Sequence, residues 1–123
     1  MKRTLMTMLF SLACGVAAAA PAPAPVRAEI DALLSRLQAS GCQFNRNGTW
    51  HSAAEARTHL LRKLDYLEGK GKVQSAEQFI ALGASGSSSS GKAYQVKCGS
   101  GAAVDSAAWL GGELAAIRAA KRR

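Results

Sequence analysis

Residues 42–67 read Cys42-Gln-Phe-Asn-Arg-Asn-Gly-Thr-Trp-His-Ser-Ala-Ala-Glu-Ala-Arg-Thr-His-Leu-Leu-Arg-Lys-Leu-Asp-Tyr-Leu67, and two local patterns in this stretch decide the fold. The first nine residues predict a tight β-hairpin. Asn47-Gly48 is the favoured pair where both central residues of a turn need positive φ, and Phe44 and Trp50 supply apolar contacts on either side of it. A helix follows with a marked start. Ser52 and Glu55 form a capping box, while Ala56, Leu60, Leu64 and Leu67 recur at helical spacing as the buried stripe.

Working outward, residues 29–40 predict another helix. Ile30, Leu33, Leu34 and Leu37 form its apolar face, and Gly41 is its stop. Beyond the central helix, Glu68-Gly69-Lys70-Gly71-Lys72 reads as a charged, flexible link. Ser75 and Gln78 then open a shorter helix through Leu82, with Phe79 and Ile80 as core contacts. The Gly/Ser-rich run 83–91 predicts a loop. Residues 93–98 alternate as a strand does, with Tyr94, Val96 and Cys98 on one face and Ala93, Gln95 and Lys97 on the other. A last helix over about 106–120 carries Trp109, Leu110, Leu114 and Ile117, weakened by roughly 1 kcal/mol at each of Gly111 and Gly112. The expected fold is therefore α+β: about four short helices packed on a small antiparallel sheet or hairpin. It forms one domain over 29–120, followed by a basic tail at 121–123 and without internal repeats.

The N-terminal stretch 1–28 reads as a secretory signal. Lys2 and Arg3 precede an uncharged apolar run from Leu5 to Ala20, and small residues with Pro21, Pro23 and Pro25 then interrupt any helix. A run of about 16 residues is short of the roughly 20 a membrane span needs, and no basic stop-transfer cluster follows it. Cleavage is expected after Ala19 or after Ala28. Cys14 lies in Ser11-Leu12-Ala13-Cys14, a poor lipoprotein signal: Ser11 replaces the usual branched apolar residue, and the apolar run continues past the cysteine. The expected product is a periplasmic or secreted protein with no membrane-spanning segment.

Charge follows the same division. The chain has 16 basic and 8 acidic residues, a net +8. Without Lys2, Arg3 and Arg27 the balance is 13 against 8, and Lys121, Arg122 and Arg123 hold three of the remaining five charges, so residues 29–120 carry only +2. A nucleic-acid module needs a folded basic stripe with aromatics on which bases stack, and none is present.

If Cys14 leaves with the signal, Cys42 and Cys98 remain, an even number in an oxidising compartment. They open and close strands that can lie side by side. A bridge between them closes a loop of roughly 57 residues, on the order of 4 kcal/mol in the chain-entropy model. Two free thiols are the alternative, and no Cys-x-x-Cys pair suggests redox work.

The run Phe44-x-Arg46-Asn47-Gly48-x-x-His51-x-x-x-Glu55-Ala56-x-x-His59-Leu60-x-x-Lys63-Leu64 continues with Ala76-Glu77-Gln78-Phe79-Ile80 and Ser90-Gly91-Lys92-x-Tyr94-x-Val96. Taken together, these three motifs resemble the YfeK-like family of exported bacterial proteins, over about residues 29–98. The family is a domain of unknown function, so the resemblance implies a periplasmic protein and supplies no activity.

His51, Glu55 and His59 are spaced four apart and drift only about 40° per step on a continuous helix. Two imidazoles and a carboxylate on one face suit a divalent metal such as zinc. Against this, His51 precedes the cap Ser52, and the spacing is not the His-Glu-x-x-His of zinc proteases. The plainer role is structural: Glu55 caps the helix, His59 packs beside Leu60, and His51 bonds the hairpin.

Gly86-Ser-Ser-Ser-Ser-Gly91-Lys92-Ala93 nearly spells a phosphate-binding P-loop. Ala93 stands where the magnesium-ligating hydroxyl belongs, however, and the loop leads from helix to strand, the reverse of the required order. What survives is a loose anion-binding nest of serine hydroxyls and backbone amides with Lys92, against a plain solvated loop. Arg46, Arg62, Lys63, Lys92 and Tyr94 would line one polar groove if the hairpin packs on the central helix, with Arg46 gripping a carboxylate or phosphate.

The residues expected to bind a ligand are thus Arg46, His51, Glu55, His59, Lys63, Lys92 and Tyr94. The expected function is a non-enzymatic binding or interaction module of the envelope that meets another envelope protein or a small anionic ligand. The alternative is a divalent-metal-binding protein or metal-dependent hydrolase using His51, Glu55 and His59.

Overall fold

The structure is a computed structural model and describes residues 21–123. Most of the expected signal, including Cys14 and the bond after Ala19, lies outside the described residues. The elements run α1 (Ala24–Ser40), β1 (Gln43–Arg46), β2 (Thr49–His51), α2 (Ala53–Gly69), α3 (Ala76–Phe79) with a π-helical turn (Ile80–Ala84), β3 (Gln95–Lys97), β4 (Val104–Asp105) and α4 (Ser106–Lys121). The α+β expectation holds, with helices packed beside an antiparallel sheet of order β2-β1-β3-β4.

The central stretch folds as its residues dictate. Asn47 and Gly48 take φ of 52° and 84°, the left-handed pair that turns β1 into β2. Glu55 N–H donates to Ser52 Oγ at 3.1 Å, closing the N-terminus of α2. Ala56, Leu60, Leu64 and Leu67 are buried as spaced. They join Phe44 of β1 and Val96 of β3 in one core with the Ile30, Leu33, Leu34 and Leu37 face of α1. Trp50 departs from expectation. It pairs with Asn45 on the outer face of the sheet and remains 39% exposed, whereas Phe44, one residue along the pleat, is buried.

Three boundaries differ from the sequence reading. First, α1 begins at Ala24, because Pro25 falls in the first turn, where the missing N–H has no partner to lose. The entry is fixed by Glu68, which accepts from Ala22 N–H at 2.9 Å and from the Arg27 guanidinium.

Second, the loop expected from residue 83 begins later. Gly83 and Ala84 lie buried in the π turn, because a Cβ at Gly83 would sit 3.0 Å from side-chain atoms of both Leu67 and Phe79. Glycine therefore lets this turn close on α2. Ser106, fully buried at the start of α4, donates its hydroxyl to Ala84 C=O and satisfies that end of the turn.

Third, the strand expected over 93–98 is regular only over Gln95–Lys97, with Ala93 reduced to a single bridge to Gly86. Val104 and Asp105 add an edge strand too short to register in a hydropathy pattern. At the other end of the chain, α4 starts at the expected Ser106 and buries Leu110, Leu114 and Ile117.

Cys42 precedes β1 and Cys98 follows β3, and the Gln43–Lys97 pairing brings them together. They are bonded, with Cα atoms 4.3 Å apart. The bridge spans the hairpin, α2, α3, the serine-rich loop and β3 in one closed segment.

Candidate functional site

Two adjoining hollows lie where the hairpin meets α2 and the serine-rich loop, sharing Arg46 and His59. One, of about 260 Å³, is lined by Phe44, Arg46, His51, Glu55, Ala56, Thr58, His59 and Arg62. The other, of about 380 Å³, is lined by Arg46, Asn47, His59, Lys63, Ser87, Ser88, Ser89 and Tyr94, and no carboxylate is among them.

Helical spacing supplies the first two groups. His59 and Lys63 stand one turn apart on α2 and face the same side. Tyr94, just ahead of β3, is 2% exposed and fills the space between them. Its ring packs against Phe44 (centroids 5.1 Å apart) and meets the edge of the His59 ring at 5.9 Å. His59 Nε2 lies 3.1 Å from Tyr94 Oη. Lys63 Nζ donates to Tyr94 Oη at 3.1 Å and to Gly86 C=O at 3.0 Å. Arg46, at the end of β1, donates from its guanidinium to His59 Nδ1. Burial, reinforced by the Arg46, Lys63 and Arg62 cations, pushes the His59 imidazole down to about 4, so at neutral pH it is uncharged.

The loop over 85–91 is stitched to the hairpin. Asn47 Nδ2 donates to Ser87 Oγ at 3.3 Å, and Ser90 Oγ donates to Asn47 Oδ1 at 2.6 Å. Several of its backbone amides are already committed. Ser87 N–H bonds Lys92 C=O, Gly91 N–H bonds Ser87 C=O, and the amides of Ser90 and Lys92 bond serine hydroxyls. The amides of Ser88 and Ser89, two serines that line the hollow, are the part of the expected nest that these bonds do not occupy. Lys92, expected to reach the groove, is exposed and lines neither hollow.

The metal expectation is also corrected. His51 Nδ1 lies 3.3 Å from Glu55 Oε2, a contact that, with bonds from Ser52, holds the Glu55 carboxyl below its ordinary range. Both ring nitrogens of His59, however, are turned to Arg46 and Tyr94. His51, Glu55 and His59 line one hollow, but no group of three or more His, Cys, Asp or Glu side chains among the described residues could hold a metal ion. The hairpin turn at residue 47 breaks no helix rule, but His51 lies in β2, ahead of the cap, and this removes it from the helical face.

Comparison with known proteins places the chain in a family. A model for a family described as "Family of unknown function (DUF5329)" matches residues 24–118. The chain belongs to that family. The match begins with the first residue of α1 and extends through most of α4, past the 29–98 stretch on which the resemblance rested. The chain is also 43% identical over 68 residues to "Uncharacterized protein YfeK" of Salmonella typhimurium, which covers 54% of this chain and 55% of that protein. It thus spans about half the length of the curated relative it matches. No solved structure matches.

Arg46, His59, Lys63 and Tyr94 were legible as site residues, and the structure gathers all four. Asn47 was read only as a turn residue, and Ser87 only as one hydroxyl of a loose anion-binding loop. Their contribution is the tether between the two segments, and an Asn at a left-handed turn position, with its amide free to bond elsewhere, was the available signal.

Proposed function

We propose that this chain is a small exported protein of the bacterial envelope that binds a ligand bearing a small oxyanion in the serine-lined hollow. One observation carries the reading: Lys63, Arg46 and the Tyr94 hydroxyl meet in a hollow lined by serines and by no acidic side chain. Two cationic donors and hydroxyls around a partly desolvated space favour an anion and disfavour a cation. The adjoining hollow, floored by Phe44 and Ala56, leaves room for whatever the oxyanion is attached to.

Export is supported by the Lys2-Arg3 start, the apolar run behind it and the paired cysteines. No helix among the described residues is long and apolar enough to cross a membrane. Of the two cleavage sites, the bond after Ala19 is favoured. A cut after Ala28 would remove the first turn of α1 and, with it, the Ala22 and Arg27 contacts to Glu68. N-terminal sequencing of protein recovered from the periplasm should read Ala20 first. A product starting at Glu29 would contradict this.

The binding reading is tested by calorimetric titration of sulfate into the wild-type protein and Lys63→Met. Saturable binding to wild type is expected, weakened at least about tenfold in Lys63→Met, since charge-assisted bonds to the anion are lost. Absence of binding, or equal binding by both proteins of matched circular dichroism, would overturn it.

A further inference from the structure

The hollow beside the serine-lined one is walled chiefly by flat groups. Phe44, Arg46, His51, His59 and Arg62 all line it, and each carries a planar, delocalised side chain. What these groups can show a ligand follows from the bonds they already make. The His59 ring is bonded at both nitrogens, to Arg46 and to Tyr94, so only its faces and its C–H edge remain. That ring is uncharged at neutral pH, and its face stacks as an ordinary aromatic surface does.

The polar groups of this hollow are largely turned to one another. Glu55 Oε1 accepts from Ser52 Oγ at 3.1 Å, and Glu55 Oε2 lies 3.3 Å from His51 Nδ1. Phe44 adds a buried apolar wall. Arg62 stands apart: it is exposed and takes part in no ion pair among the described residues. A guanidinium without a carboxylate partner is suited to stack on an aromatic face, where the ring quadrupole is negative. The two hollows share Arg46 and His59, so a group held in one lies next to a group held in the other.

Resting on the anion-binding reading above, we infer that the ligand is an aryl oxyanion. Its charged group sits among Arg46, Lys63 and the serines, and its aromatic ring lies in the adjoining hollow against His59, Phe44 and Arg62. An alkyl group of similar size gains the burial but not the attraction between guanidinium and ring.

The test compares phenyl, cyclohexyl and methyl phosphate by calorimetry at pH 8, where all three are dianions, with sulfate as the reference anion. Phenyl phosphate should bind at least about tenfold more tightly than methyl phosphate and at least about threefold more tightly than cyclohexyl phosphate. In Arg62→Met the phenyl-to-methyl ratio should fall at least about threefold, whereas Lys63→Met should weaken both esters together. Phenyl phosphate binding no more tightly than the methyl or the cyclohexyl ester overturns the inference and leaves the anion site standing. So does sulfate binding with none of the three esters bound. A phenyl preference untouched by Arg62→Met places the ring elsewhere and also overturns it. If neither sulfate nor any ester binds, both readings fall.

Discussion

Reducing the Cys42–Cys98 bridge should destabilise the protein by about 4 kcal/mol, the largest effect expected of any single covalent change here. The two cysteines are 56 residues apart in sequence, and the loop they close contains the hairpin, α2, α3 and every residue lining the serine-lined hollow. Releasing it returns that length of chain to the unfolded ensemble. A domain of this size has roughly 5–15 kcal/mol in total, so the reduced form is left marginal. At about 4–8 °C per kcal/mol, melting should fall by roughly 15–30 °C. Thermal melts followed by circular dichroism, with and without reductant and on the Cys42→Ala/Cys98→Ala double variant, check this. A fall of less than about 5 °C would mean that the helical core, not the bridge, holds the sheet in register.

His59 should make stability depend on pH in a window that few side chains share. Its folded-state pKa is pushed from 6.5 to about 4, so between those values the unfolded chain binds the extra proton and the folded chain does not. The contribution is therefore fully present above pH 6.5, declines as pH falls towards 4, and is spent below that. The imidazole is only half-buried, so solvent screening reduces the effect to on the order of 1–2 kcal/mol. Structurally, a proton on Nδ1 would face the Arg46 guanidinium, donor against donor. Urea midpoints of wild type and His59→Gln at pH 7.5, 5.5 and 4 test this. Wild type should lose stability relative to the variant between the first and last. The Glu29, Glu55 and Glu77 carboxyls, held below their ordinary range by Arg118, His51 and Arg118 respectively, lose their contributions at lower pH in both proteins, so the difference isolates His59. A constant difference across the range would show that the imidazole titrates as it does in the unfolded chain.

Much of this was written locally in the sequence. Asn47-Gly48, the Ser52–Glu55 cap and the leucine stripe of α2 each act over a few residues, so the hairpin and its helix were legible together. The start of α1 was not, because prolines read as breakers everywhere except in a first turn, and only the contacts of Ala22 and Arg27 with Glu68 reveal that Pro25 sits in one. The π turn was hidden for a similar reason. Gly83 looks like loop punctuation until Leu67 and Phe79 are seen against it. Within the site, residues joined by helical or strand periodicity were found. Lys92 was misjudged because direction within a loop is set by hydrogen bonds from distant residues, here Asn47 and the loop's own serines. The metal expectation failed on one position: spacing of four implies a shared face only if the helix is continuous, and His51 is in a strand.

The most direct test of the anion site is a sulfate titration of 15N-labelled protein, followed residue by residue through backbone amide shifts. Amides of Arg46, Asn47, Lys63 and residues 87–90 should move together and saturate along one binding curve. Shifts confined to the basic Lys121-Arg122-Arg123 end, or no saturable shift at all, would contradict an anion site between the hairpin, α2 and the serine-rich loop.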